Sequence, residues 1–133
     1  MLFQGAITIP ANTTAAAPVS VVFPIDMGEV TKVMVRPRPG HASLGHCVIL
    51  FQEHQIWPSV EGMDIHGDSF PIDWEEEYIV DQPPYDLKLV GWNDDDTYDH
   101  TFDVYVAMKE QQLVEQQGTL GRMLSKFLKA IGV

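Results

Sequence analysis

The sequence predicts an all-β fold: a single antiparallel β-sandwich, jelly-roll-like, with a C-terminal amphipathic α-helix. Three observations carry this expectation. Residues 1–108 break into about eight short apolar runs with turn residues roughly every ten positions, the cadence of sandwiches and jelly rolls. No helical pattern separates these runs, which leaves no crossover for a parallel βαβ arrangement; an up-and-down barrel is the alternative. Beyond residue 118 the apolar period changes from that of a strand to that of a helix. With 133 residues the chain has room for one domain and its core. The boundaries expected are 1–108 for the β-sandwich domain and 109–133 for a linker and the helix.

Taken in order, Phe3, Gly5, Ile7 and Ile9 alternate with polar or small residues, as in a half-buried strand. Pro10 to Pro18 has loop composition, and residues 19–23 (VSVVF) form a β-branched run. Residues 29–36 (EVTKVMVR) place Val30 and Met34 on one face and Val33 and Val35 on the other. The prolines of RPRPGH end that run. Residues 46–52 (HCVILFQ) are apolar enough for a strand covered on both faces. Shorter runs follow in HQIWPS, DIHGDSFPID and YIV (78–80), each bounded by Pro, Gly or Asp. Residues 85–92 set Tyr85, Leu87 and Leu89 against Asp86 and Lys88. Residues 100–108 set Phe102, Val104, Val106 and Met108 against Thr101, Asp103, Tyr105 and Ala107. The NDDD turn between these two runs makes them the expected antiparallel pair.

Residues 109–117 are good helix formers interrupted by Gly118, which suits a hinge. After it, Leu120, Met123, Leu124, Phe127, Leu128 and Ile131 fall on one helical stripe between Thr119 as N-cap and Gly132 as stop. Arg122, Lys126 and Lys129 share this segment with no Asp or Glu. The apolar stripe and the three cations form the predicted partner-binding set. Such a helix packs on its own body, on a neighbouring subunit or, less favoured, on an anionic membrane.

Eight basic and 19 acidic residues give a net charge of −11, which argues against broad phosphate-backbone binding. One cysteine, Cys47, excludes an intramolecular disulfide. The opening MLFQGAITIP lacks the basic and apolar regions of a signal peptide. No apolar run approaches the ~20 residues of a membrane-spanning helix.

Asp94, Asp95, Asp96, Asp99 and Asp103 form an oxygen-rich turn of the kind that holds Ca²⁺, but the EF-hand glycine and distal glutamate are missing, and Asp suits turns for backbone reasons. The run Glu75, Glu76, Glu77 reads as a solvated stretch. His41 and His46 stand five apart, and His66 lies between Asp64 and Asp68. Neither spacing matches a zinc knuckle or a helix-borne pair, and no metal or cofactor is assigned. Cys47 lies in an apolar run and reads as a small buried hydrophobe. Ser20, Ser43, Ser59, Ser69 and Ser125 lie in no nucleophile elbow, and GHASLGH lacks the lysine of a phosphate loop, so no catalytic residue is assigned. Trp57, Trp74 and Trp92 with Tyr78, Tyr85 and Tyr98 are either core residues or a sugar-stacking platform.

Residues 6–108, in their opening ITIPANT, their FPI and HQIWPS, and their PPYDLKLVGWNDDDTYDH, resemble small β-rich accessory proteins of tailed bacteriophage particles, of the capsid-decoration or tail-associated type. That resemblance implies a virion protein assembled in the host cytoplasm, with other virion subunits as partners and a homo-oligomer, commonly a trimer. The basic helix departs from a plain decoration protein and suits an anchor. The function expected is a non-enzymatic assembly subunit, docking through its β body and C-terminal helix, and the alternative is a carbohydrate-binding β-sandwich module.

Overall fold

A computed structural model describes residues 1–110. The predicted helix, with its stripe of Leu120, Met123, Leu124, Phe127, Leu128 and Ile131 and its cations Arg122, Lys126 and Lys129, lies outside the described residues, as does most of the linker. Eight strands make up the described chain: β1 (Leu2–Ile9), β2 (Val19–Pro24), β3 (Gly28–Pro37), β4 (Gly45–Phe51), β5 (His54–Trp57), β6 (Ile72–Val80), β7 (Asp86–Asn93) and β8 (His100–Lys109). They form two four-stranded sheets in the orders β1-β8-β3-β6 and β2-β7-β4-β5. Every named pairing is antiparallel.

Each strand sends side chains into one shared core. Ile7, Ile9, Phe23, Val30, Val33, Val35, Cys47, Ile49, Trp57, Val80, Leu87, Leu89, Phe102, Val104, Val106 and Met108 are all buried there. The alternation of β8 is visible residue by residue, with Phe102, Val104, Val106 and Met108 inside and Thr101 to Ala107 half-buried between them. Two glycines let the sheets close at the β1/β2 side. A Cβ on Gly91 would stand 2.5 Å from Ile9 Cδ1, and one on Gly5 would stand 2.6 Å from the Phe23 ring. At these points backbone takes the place of a side chain.

Three expectations are corrected. The runs at 85–92 and 100–108 do not pair: β7 lies between β2 and β4, while β8 lies between β1 and β3. Alternation reveals which face is buried, not which strand is the neighbour, and the six residues between the two strands cross from one sheet to the other. In β3 the register shifts between Val30 and Lys32 against both β6 and β8. That bulge takes up one residue, so Val30, Val33 and Val35 all face the core and Met34 faces out. The YIV run extends back to Ile72 and makes the whole EEE stretch part of β6, while DIHGDSFPID contributes only a single bridge at Ile65 before the strand begins. The opening segment is the strand that its alternation predicts: all of Leu2–Ile9 pairs in register with β8, and the Met1 amino group donates to the Met108 carbonyl at 2.6 Å.

Candidate functional site

The outer strands β5 and β6 face each other at one side of the two sheets, joined by the long loop 58–71. Between them opens a cavity of about 330 Å³ lined by Trp57, Pro58, Ser59, Asp64, Ile65, His66, Ile72, Trp74 and Glu76. Its aromatic wall follows from the alternation of the strands. Trp57 ends β5 pointing inward and is only 2% exposed; Trp74, Glu76 and Tyr78 share the inward face of β6. The rings of Trp57 and Trp74 meet edge-on at 6.0 Å, and Tyr78 packs on Trp57 at 5.6 Å. Both indole N–H groups donate to the same oxygen, Glu76 Oε1, at 2.7 and 2.9 Å. One carboxylate thus satisfies two half-buried donors and fixes both rings.

The loop is fastened at its middle. Cys47 and Ile65 exchange backbone hydrogen bonds of 2.9 and 2.8 Å, so Ile65 turns inward beside Cys47 and its neighbours Asp64 and His66 turn outward. His66 then stands opposite His46, which on its other side pairs with Trp92. The His46 ring stacks on Trp92 at 5.4 Å with 9° between the planes, and its centroid lies 5.5 Å from that of His66. Asp64 Oδ1 receives both imidazoles, His46 Nδ1 at 2.6 Å and His66 Nδ1 at 2.9 Å. His46 Nε2 faces Asp94 Oδ2 at 2.9 Å. Burial pushes the Asp64 carboxyl up, but the hydrogen bonds from His46 and His66 outweigh it and hold the group below its ordinary value. Donor atoms of His46, Asp64 and His66 all lie within 4.8 Å of one another.

The other candidates are placed elsewhere. The acidic turn does not gather its carboxylates around one point. Asp95 accepts from the backbone N–H groups of Thr97 and Tyr98 and faces His100 Nε2 at 2.8 Å, Asp99 accepts from the Ala11 N–H, and Asp103 forms a two-pronged pair with Arg38 at 2.9 Å. Buried Asn93 donates to the carbonyls of Ile9 and Tyr98, which seats this turn on the end of β1. The turn is built by its aspartates rather than emptied for a cation. His41 is buried beside His100 and Phe102, far in role from His46. Cys47 is fully buried and burial pushes its thiol up to about 12, so it stays unionised and unreactive. The six aromatics do not form one platform: Trp57, Trp74 and Tyr78 line or back the cavity, Trp92 stacks on His46, Tyr85 packs half-buried against the core, and Tyr98 stands exposed in the acidic turn.

Three residues of the site escape a sequence reading as a group. Glu76 looks like one of three solvated glutamates, and only its place on the inward face of β6 reveals its role. His46 and His66 are 20 positions apart with no motif spacing, and the Cys47–Ile65 bridge that joins them has no sequence signal of its own. No protein-family model matches the chain, and no curated protein matches it either.

Proposed function

We propose that the chain is a non-enzymatic assembly subunit of a viral particle, docking on neighbouring subunits through the open β5/β6 side of its β body. One observation carries this reading: the loop beside the cavity turns apolar side chains to solvent. Phe70 is 82% exposed, Val60 65% and Met63 56%. Three large apolar groups on one loop, next to an aromatic-lined recess, are what a partner surface uses. The strand orders β1-β8-β3-β6 and β2-β7-β4-β5 are those of an eight-stranded jelly roll, an architecture common in capsid proteins. The resemblance of residues 6–108 to phage accessory proteins supports the same reading, and the helix expected at 119–131 is the second docking element.

The test is the solution mass of the full chain, of the 1–117 truncation and of Phe70→Asp, by light scattering with circular dichroism as the check on folding. An oligomer that becomes a folded monomer in either variant supports the reading. A full chain that stays monomeric at about 100 μM, some hundredfold above a micromolar dissociation constant, overturns self-assembly. A second reading, a carbohydrate-binding module, draws on Trp57 and Trp74 standing with the carboxylates of Glu76 and Asp64 around one cavity. A glycan array with the full chain and Trp74→Ala separates the two.

A further inference from the structure

We infer that His46, Asp64 and His66 form a binding site for one divalent transition-metal ion, of which Zn²⁺ is the natural occupant. Two imidazole nitrogens and one carboxylate oxygen, all within 4.8 Å of one another, are a donor set that suits zinc and excludes hard cations such as Mg²⁺ and Ca²⁺, which take oxygen ligands. Each ring presents Nδ1 to the shared point, and both Nδ1 atoms already lie at 2.6 and 2.9 Å from the same Asp64 oxygen. An ion seated there takes the place of the Nδ1 protons, and the three donor atoms spread by a few tenths of an ångström to the ~3.3 Å separations that bonds of ~2.0–2.1 Å at a tetrahedral centre require.

An independent feature points the same way. The remaining nitrogen of His46 faces a second carboxylate, Asp94, at 2.9 Å. A carboxylate behind a metal-bound imidazole fixes its tautomer and raises its basicity, and it is the usual companion of histidine ligands. The stacked Trp92 removes the other freedom of the ring, its tilt. On the other side, the fastening of Ile65 to Cys47 sets Asp64 and His66 on a backbone that does not have to be organised when the ion arrives. Asp64 and His66 also line the cavity, so the fourth position of a tetrahedral ion belongs to water or to an oxygen donor of whatever fills that recess.

The site stands apart from the docking reading, since it needs no partner. Its test is calorimetric titration of the tag-free full chain with ZnCl₂, beside the variants His66→Ala, Asp64→Asn, Asp94→Asn and His54→Ala, with thermal unfolding as a second readout. The expected result is one ion per chain and a melting temperature that rises with zinc. His66→Ala and Asp64→Asn each lose at least tenfold in affinity, Asp94→Asn loses about 10- to 100-fold, and the exposed His54→Ala binds as the parent does. His66 is half-exposed, so its replacement leaves the fold intact and keeps the test decisive if Asp64→Asn misfolds. No saturable binding overturns the site. So does binding of equal strength in His66→Ala, or weak uptake of several ions that no variant alters. Loss of zinc binding leaves the solution mass of the chain as the separate arbiter of docking.

Discussion

His41 is a buried imidazole held by a single hydrogen bond: it is 1% exposed, and its Nε2 donates to the Thr101 carbonyl at 2.8 Å. Its Nδ1 is buried without a partner, because Gly45 presses against it where a side chain would otherwise stand. Burial holds this ring below its ordinary value of 6.5. The folded chain therefore keeps it neutral while the unfolded chain takes up a proton, so stability is unaffected well above pH 6.5 and falls as pH drops through that value. His41→Phe cannot titrate. Its urea-unfolding stability relative to the parent should improve between about pH 8 and about pH 5.5, whatever its offset at the higher pH. A constant offset across the range would show that His41 protonates freely in the folded state. Cys47 was legible in the sequence, since a thiol within HCVILFQ is most simply a core residue. His41 was not, because a histidine after Pro-Gly looks like surface until β8 is seen to pass beneath it.

At the scale of the element, β4 and β5 are joined by only Gln52 and Glu53, with φ of 50° and 66°. Two left-handed residues in a two-residue loop make the turn that matches strand twist, and neither side chain suits it. Replacing the pair by Asn-Gly should stabilise the chain by about 1 kcal/mol, read as a higher urea midpoint at unchanged slope. The change also removes the Glu53–Lys88 ion pair at 3.5 Å, an exposed contact of little weight. An unchanged or lower midpoint would mean that the turn is not strained. This hairpin illustrates how far pattern reading reaches. The strands around it were visible from their β-branched and aromatic residues, but Gln-Glu is no turn signal, so their pairing was hidden. The NDDD turn erred in the opposite direction: its composition is that of a hairpin, while Asn93 and Asp95 use it to carry the chain between sheets. The bulge in β3 is likewise silent in sequence, because an extra residue in a strand changes facing without changing composition.

For the whole molecule, charge is the dominant surface property. Residues 1–121 carry five basic residues against 19 acidic ones, a net −14. Among the described residues the Lys and Arg ion pairs are Lys32–Asp73, Arg38–Asp103 and Lys88–Glu53, so most carboxylates have no lysine or arginine beside them. Such a body repels itself. Raising NaCl from about 0.05 M to about 0.5 M shortens the screening length from roughly 14 to roughly 4 Å and should raise the melting temperature, as scanning calorimetry would register. A lower melting temperature in high salt would mean that the few ion pairs outweigh the repulsion. The all-β class and nearly all strand positions were legible, because burial periodicity survives in sequence. The cavity and the histidine pair were not, because both are made by contacts between segments that only the packing of two sheets brings together.

The fastening of Ile65 to Cys47 also changes what kind of loop 58–71 is. Pinned at its midpoint, one long excursion becomes two short ones, an apolar tip with Val60 and Met63 and a return limb ending at Phe70. A protease nick near Gly62 would open the first span and leave the limb that carries His66 in place. Mutation has the same freedom: Val60 and its neighbours at the tip can change while His46 and His66 keep their positions.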